Sequence, residues 1–214
     1  MDLDRLRIRA VSFTDTDLEL HLAGGRTVRG GLRRHNLLDA SAQQRAAWRL
    51  VDDGLQLNWP ALGRAGGAGI TVAAADLAWD QTCEAALARL AQADWKLDAL
   101  TARQQQIVAL WRVEADGNNG GFLQFFCNWG EANCAIALQA LQAIGAQATH
   151  AIVSEQRAML DRLEDHPELQ SYGDIPRLLG EAGRARIGDE LDPAFWDAAE
   201  ELPLRAACHY FDEG

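Results

Sequence analysis

Residues 114–129, EADGNNGGFLQFFCNW, are the feature that most limits how this chain can fold. Asn118 and Asn119 precede the pair Gly120-Gly121, and both residue types accept the left-handed backbone of a tight turn. The apolar side chains at helical spacing are Ile107, Leu110 and Trp111 before the turn, and Phe122, Phe125, Phe126 and Trp129 after it. The stretch therefore predicts two helices that meet at a sharp turn, the second with an aromatic face.

Polar side chains gather around the same turn. The opening amides of the second helix have no partner within that helix, so a carboxylate held over them is favourable. Glu114 lies on the apolar stripe of the first helix, and the candidate cluster consists of Glu114, Asn119, Gln124 and Asn128. Buried polar groups normally pair with one another, so we favour a structural cluster over a ligand pocket made by the same side chains.

A longer motif, Asn-Gly-Gly-Phe-x-Gln-Phe-Phe-x-Asn, occupies residues 119–128 and follows a glutamate. It resembles the signature of a mostly helical family typified by a DNA-mimic protein of Neisseria, and the resemblance covers about residues 80–211. The motif positions, which we interpret as structural, are Glu114, Asn118, Asn119, Gly120, Gly121, Phe122, Gln124, Phe125, Phe126 and Asn128. The resemblance implies an acidic, dimeric protein that binds a transcription factor in place of DNA.

The first part of the chain predicts a small α+β domain over residues 1–78. Apolar and polar residues alternate over residues 5–13 and 17–22, which is typical of half-buried strands. A helix is expected over residues 36–50, with Ser41 as a helix cap, and further strands over residues 55–60 and 70–72. Through Trp59-Pro60 and Asp76-Leu77, residues 1–77 resemble a small bacterial domain of unknown function.

Residues 79–214 predict an all-helical domain, so the expected fold class is an α+β module followed by an all-α domain. A capping box at Thr101 and Gln104 and a helix-ending glycine at Gly145 mark two of its boundaries. The expected helices are about 82–92, 101–116, 121–129, 131–145, 147–164, 175–186, 193–201 and 203–211.

The net charge of −11 argues against nucleic acid or an anionic membrane as a direct partner, because either needs a basic footprint. Residues 1–75 carry 10 arginines and 8 acids, whereas residues 76–214 carry 10 basic residues and 23 acids. The chain opens without a signal-peptide pattern and has no window long enough to span a membrane, so we expect a cytoplasmic bacterial protein.

Catalytic and metal-binding patterns are not evident in the sequence. The five histidines include no pair at helical spacing, and the four cysteines form no Cys-x-x-Cys pair. Cys127 follows Phe126, where an apolar environment is expected to raise its pKa and make the thiol inert. The sequence therefore predicts neither a metal nor a cofactor.

The acidic residues of the C-terminal part form the candidate partner-binding face. Acids repeat at helical spacing near residues 161–168 and 197–201, and a further group is expected in a loop before the later helix. The ten residues are Asp161, Glu164, Asp165, Glu168, Asp189, Glu190, Asp192, Asp197, Glu200 and Glu201. Such rows can approximate the charge spacing of a phosphate backbone, or they can simply keep a helix soluble.

Three functions follow as hypotheses. The first, which we favour, is a binding module whose acidic face engages a basic DNA-binding protein such as a transcriptional regulator. The second is an immunity or antitoxin protein that neutralises a basic toxin through the same face. The third is an enzyme whose pocket lies at Glu114, Asn119, Gln124 and Asn128. A homodimer is implied only by the family resemblance.

Overall fold

The computed structural model describes residues 1–63, 67–199 and 201–211. These residues divide into two compact units. The first comprises residues 1–82 together with the segment that begins at Ala206, and the second is Cys83–Arg205. The domain division expected between residues 78 and 79 stays a prediction. The predicted fold class is confirmed, because small antiparallel sheets are followed by a long helical region.

The first sheet is the predicted meander of three antiparallel strands. Strands β1 (Ile8–Phe13), β2 (Asp17–Leu22) and β3 (Thr27–Gly31) pair in sequence order. The alternation in β2 places Leu18, Leu20 and Leu22 in the interior, as expected of a strand with one buried face.

The helix predicted over residues 36–50 is wrong in its extent. Helix α1 covers only Ala42–Ala46, where Ser41 and Gln44 form a capping box that confirms the predicted cap. Asn36 has a left-handed backbone, with φ of 56°, so the residues before α1 form turns and are not part of a helix. Strand β4 (Arg49–Val51) follows, because its backbone pairs with a neighbouring strand.

A second antiparallel sheet consists of β4, β5 (Gln56–Trp59) and β6 (Ile70–Ala73). Helix α2 (Ala74–Gln92) starts directly after β6, so the helix predicted from residue 82 is longer than expected at its N-terminal end. The core of these elements includes Leu57, Trp59 and Leu77.

Helix α3 (Ala102–Ala143) organises the second unit. Its N-terminus has the predicted capping box at Thr101 and Gln104. Non-helical backbone at Gly120, Gly121 and Gly130 divides α3 into three stretches, which correspond to the three helices predicted from the sequence. The first stretch runs past the expected end at residue 116 as far as residue 119.

Gly145 ends α3 as predicted. Its φ is 71°, its N–H donates to the Gln142 carbonyl, and the next N–H, of Ala146, donates to the Leu141 carbonyl. This pair of hydrogen bonds is the Schellman arrangement, which satisfies carbonyls that have no partner within the helix. Helix α4 (Gln147–Asp161) then begins.

The remaining helices are short. They are α5 (Ile175–Leu178), α6 (Gly180–Ala185), α7 (Asp192–Ala199) and α8 (Leu202–Tyr210). The helix predicted over residues 175–186 is broken at Gly180, where φ is 67°. Residues 186–191 form a π-helical turn into α7, so the loop expected around Asp189 and Glu190 is wrong.

Helices α4 and α7 run antiparallel. The Thr149 hydroxyl donates to the Ala198 carbonyl, and the Gln156 side chain donates to Asp192 at the other end of α7. Within the described residues, no helix has the length and apolar character needed to cross a membrane.

Candidate functional site

The break in α3 at Gly120-Gly121 requires glycine. Gly121 has φ of 78° and ψ of −175°, a backbone region that is essentially restricted to glycine. A Cβ built on Gly121 would lie 2.0 Å from Asp192 Oδ2, which is far inside van der Waals contact. The Asn-Gly-Gly segment therefore turns the chain and leaves room for a carboxylate.

That carboxylate belongs to Asp192 at the start of α7. Asp192 Oδ1 accepts the Phe122 N–H at 3.0 Å and the Gln156 amide at 2.8 Å. The expectation that a carboxylate covers the opening amides is met by a residue 70 positions away in sequence. Burial raises the pKa of Asp192, whereas the two hydrogen bonds oppose the shift.

Asp192 was predicted on the exposed acidic face, and this prediction is wrong. Its side chain is 7% exposed and is held inside the helical unit by its two donors. A cap that satisfies a helix N-terminus stabilises the buried charge through the helix dipole. Asp192 therefore has a structural role at the break in α3.

Asp116 organises the polar side chains of the motif. Its carboxylate accepts hydrogen bonds from Gln124 Nε2 at 2.8 Å, Asn128 Nδ2 at 3.1 Å and Trp129 Nε1 at 2.7 Å. Asn119 Nδ2 donates to Gln124 Oε1 at 3.4 Å. Three of the four predicted cluster members thus meet, although Asn119 and Asn128 are exposed and not buried as the structural interpretation expected, and the carboxylate at their centre was not among the predicted members.

Asp116 could have been selected from the sequence if the first stretch of α3 had been expected to continue past residue 116. The first stretch was expected to end at residue 116, which placed the aspartate at the last residue of that helix. Because the helix continues to residue 119, Asp116 stays one helical turn after Arg112 and on the same face. Glu114, which was expected on the apolar stripe, is half-buried.

Arg112 lies beneath this cluster and is 5% exposed. Its Nη1 donates to Asn133 Oδ1 at 2.6 Å, and its guanidinium lies 3.8 Å from the centroid of the Trp129 ring. Arg112 Nε has no hydrogen-bond partner among the residues that the structure describes. Burial lowers the pKa of Arg112, and the charge of Asp116 opposes that shift.

The aromatic face of the motif helix is in the core. Phe122, Phe125 and Phe126 are buried. The Phe122 ring is tilted against the rings of Phe125 and Phe126, at centroid distances of 6.1 and 5.9 Å. Tyr172 packs edge-on against Phe126 at 5.3 Å. A Cβ at Gly130, whose φ is 73°, would lie 2.5 Å from the Tyr172 ring, so this second break also needs glycine.

Exposed positions of the motif surround the break. Asn118, Asn119, Gly120 and Asn128 are open to solvent.

The Cys127 thiol donates to the Tyr172 carbonyl at 3.2 Å, and burial raises the pKa of this thiol, which confirms the expected direction. Within residues 1–63, 67–199 and 201–211, no group of three or more histidine, cysteine or acidic residues is arranged to hold a metal ion.

Intramolecular ion pairs neutralise part of the predicted acidic face. The pairs are Asp161 with Arg157, Glu168 with Arg177, Glu190 with Arg186 and Glu201 with Arg205. The hydrogen bond from Arg177 holds the pKa of the Glu168 carboxyl below its usual value. Four of the ten acids therefore already have a cationic partner within the chain.

Four other acids of the predicted face are exposed and have no cationic partner among the described residues. They are Glu164, Asp165, Asp189 and Asp197. Glu164 and Asp165 lie in turns after α4, because that helix ends at Asp161 and not at residue 164 as predicted. Glu200, the remaining member, lies outside the described residues.

Comparison with known proteins identifies the helical part of the chain. No curated protein and no solved structure matches the chain significantly. The family model described as DMP19-like protein matches residues 98–213, which is more than half of the chain and includes the motif and the acidic residues. The resemblance read from the Asn-Gly-Gly-Phe motif is thereby confirmed, and the chain belongs to the DMP19-like family, named for DNA mimic protein 19.

Proposed function

We propose that the helical unit acts as a DNA mimic that binds a basic DNA-binding protein, such as a transcriptional regulator. The observation that carries this proposal is the set of four exposed acids, Glu164, Asp165, Asp189 and Asp197, which have no cationic partner among the described residues. Carboxylates without a partner attract a basic groove by the same long-range electrostatics as phosphates do. Membership of the DMP19-like family supports the same function.

The charge of the helical unit also supports the proposal. Residues 83–205 carry 19 acids and 10 basic residues, for a net charge of −9, whereas the rest of the chain has a net charge of −2. A basic partner would therefore be drawn to the helical unit. The ion-paired acids, such as Glu168 and Glu201, contribute less to this field because an arginine of the chain lies beside each of them.

A capture experiment tests the proposal. The immobilised chain is incubated with a lysate of its source cells at low salt and eluted with a salt gradient, and retained proteins are then challenged with excess double-stranded DNA. We expect to capture a basic DNA-binding protein that both salt and DNA release from the chain. Salt weakens the attraction because the Debye length falls to about 10 Å at 0.1 M salt, which screens charges farther apart than that. A complex insensitive to both would refute mimicry.

Two variants with equal loss of charge localise the effect. The first replaces Glu164, Asp165, Asp189 and Asp197 with their amides, and we expect it to lose the partner. The matched control makes the same change at four exposed acids of the first unit, which are Asp2, Asp15, Asp39 and Asp53. Equal retention by both variants would show that net charge alone accounts for binding.

The identity of the captured protein separates the two binding hypotheses. A DNA-binding regulator supports mimicry, whereas a basic nuclease that the chain inhibits would support the immunity or antitoxin hypothesis instead.

A further inference from the structure

Two tryptophans beside the break in α3 are exposed although their polar atoms are fixed. Trp129 is 36% exposed and Trp196 is 45% exposed. Trp129 Nε1 donates to Asp116 Oδ2 at 2.7 Å, and Trp196 Nε1 donates to the Gly117 carbonyl at 2.8 Å. The two indole N–H groups are thus bound to consecutive residues of one helical turn, Asp116 and Gly117, so the two Nε1 atoms lie near each other.

Ring orientation is restricted at both positions. Arg112 covers one face of the Trp129 ring at 3.8 Å, so the exposed area belongs to the opposite face and the ring edge. Next to Trp196, Phe195 is buried against Gly117, where a Cβ would lie 2.7 Å from the Phe195 ring. Exposed aromatic rings that are already held in place lose little entropy on binding, which is the property of interface anchors.

Local charge indicates the chemistry of the partner. The charges of Arg112 and Asp116 offset each other, and the hydrogen bond from Trp129 to a carboxylate adds electron density to the indole ring. Asp197 follows Trp196, is exposed and has no cationic partner within the described residues. The surface therefore presents two aromatic faces with one excess negative charge, which suits a planar cation.

We propose that Trp129 and Trp196 form a docking surface for arginine side chains of a protein partner, with Asp197 as the pairing carboxylate. This inference rests on the proposed function only in expecting a basic partner, and it adds a preference for guanidinium over ammonium groups. Arginine stacks on indole rings through a flat, weakly hydrated guanidinium, whereas the lysine ammonium is a strongly hydrated point charge.

The test compares fluorescently labelled hexa-arginine and hexa-lysine peptides by fluorescence polarisation at low salt. The two peptides have equal charge, so a difference in affinity reports contacts specific to guanidinium, which are stacking on the rings and bidentate pairing with a carboxylate. A stacked cation is worth about a twofold to fivefold gain in affinity at an exposed site. With two rings, we expect hexa-arginine to bind at least about fivefold more tightly than hexa-lysine.

Variants assign that preference to the two rings. Trp196→Ala should reduce it, and Trp129→Ala combined with Trp196→Ala should abolish it while hexa-lysine binding is unchanged. Trp129→Leu, which keeps an apolar side chain but has no ring face, serves if removal of the indole perturbs folding. The matched control is Trp95→Ala, because Trp95 is 66% exposed and its indole makes no hydrogen bond within the described part of the chain.

Other results would overturn the inference. One is equal affinity of the wild type for both peptides, and another is a preference that survives in the double variant. A third is a wild-type dimer in light scattering that Trp196→Ala converts to a monomer, since a second copy would then occupy this surface. A variant that replaces Glu164, Asp165 and Asp189 with their amides and keeps Asp197 should weaken both peptides alike, so failure of the acidic surface and failure of the aromatic surface are distinguishable.

Discussion

Replacing Gly121 with alanine should destabilise the helical unit strongly, for two separable reasons. The backbone at Gly121, with φ of 78° and ψ of −175°, costs a residue with a Cβ about 1 to 3 kcal/mol. The new Cβ would also lie 2.0 Å from Asp192 Oδ2, so the carboxylate has to move away from the Phe122 N–H. Loss of a hydrogen bond to a charged group costs about 1.5 to 3 kcal/mol, which brings the expected total to about 2.5 to 6 kcal/mol.

Urea unfolding followed by circular dichroism measures this change as a shift in midpoint at constant slope. The matched control is Gly188→Ala, because a Cβ there meets no atom within 4 Å and the backbone φ is not positive. We expect the control to stay within about 0.5 kcal/mol of the wild type.

A double-mutant cycle separates the two causes. In an Asp192→Ala background the clash disappears, so Gly121→Ala should cost only the backbone term of about 1 to 3 kcal/mol. If the single variant unfolds within 0.5 kcal/mol of the wild type, or if its cost is the same in both backgrounds, the account of the break as a seat for Asp192 is refuted.

Three further predictions concern titration and packing. Burial raises the pKa of Asp192 in the folded state, so wild-type stability should fall as pH rises from the unfolded value of about 3.9 through the folded pKa. Unfolding of Asp192→Asn beside the wild type at several pH values checks this: the stability of the wild type relative to the variant should fall as pH rises, and a relative stability that increases with pH would contradict it. Burial raises the pKa of Cys134 to about 12, so this thiol should resist iodoacetamide at pH 8 until urea unfolds the chain, and modification in the native state would count against it. Asp116→Asn should destabilise by about 0.5 to 1.5 kcal/mol, because an amide replaces one acceptor oxygen opposite three donors that water can reach in part. Unchanged tryptophan fluorescence and an unchanged unfolding midpoint would show that the cluster does not depend on the charge.

The parts of the fold that depend on neighbouring residues were predictable from the sequence. The capping boxes at Ser41 and Thr101, the end of α3 at Gly145 and the alternation in β2 each rest on side chains within a few positions. The sequence also predicted the break at Gly120-Gly121, because glycine is the residue that tolerates the required backbone.

The parts that depend on distant residues were not predictable. Nothing near Asp192 indicates that it will cap a helix whose N-terminus lies 70 residues earlier, and its acidic neighbours suggested an exposed face instead. The helix before the motif was expected to end at residue 116, whereas it continues through Gly117, whose lack of a side chain leaves room for the Phe195 ring. Because the helix was expected to end at residue 116, Asp116 was left out of the predicted cluster. Its three hydrogen-bond donors, Gln124, Asn128 and Trp129, all lie within residues 114–129.

The structure changes what the negative charge of this chain can mean for DNA mimicry. Ten acids were candidates for the binding face, but one is a buried cap and four have an arginine of the same chain beside them. A field that attracts a basic groove depends on charges that have no nearby partner, because a paired carboxylate and guanidinium largely cancel at a distance. The number of acids therefore overstates the binding surface, and the arginine positions define it as much as the acids do. Arg186 shows this directly, since it bridges Glu155 and Glu190 and leaves the adjacent Asp189 free. Removing Arg186 would leave Glu155 and Glu190 without this cationic partner, so Arg186→Gln should strengthen salt-sensitive binding of a basic partner, and unchanged binding would place the contact surface away from this turn.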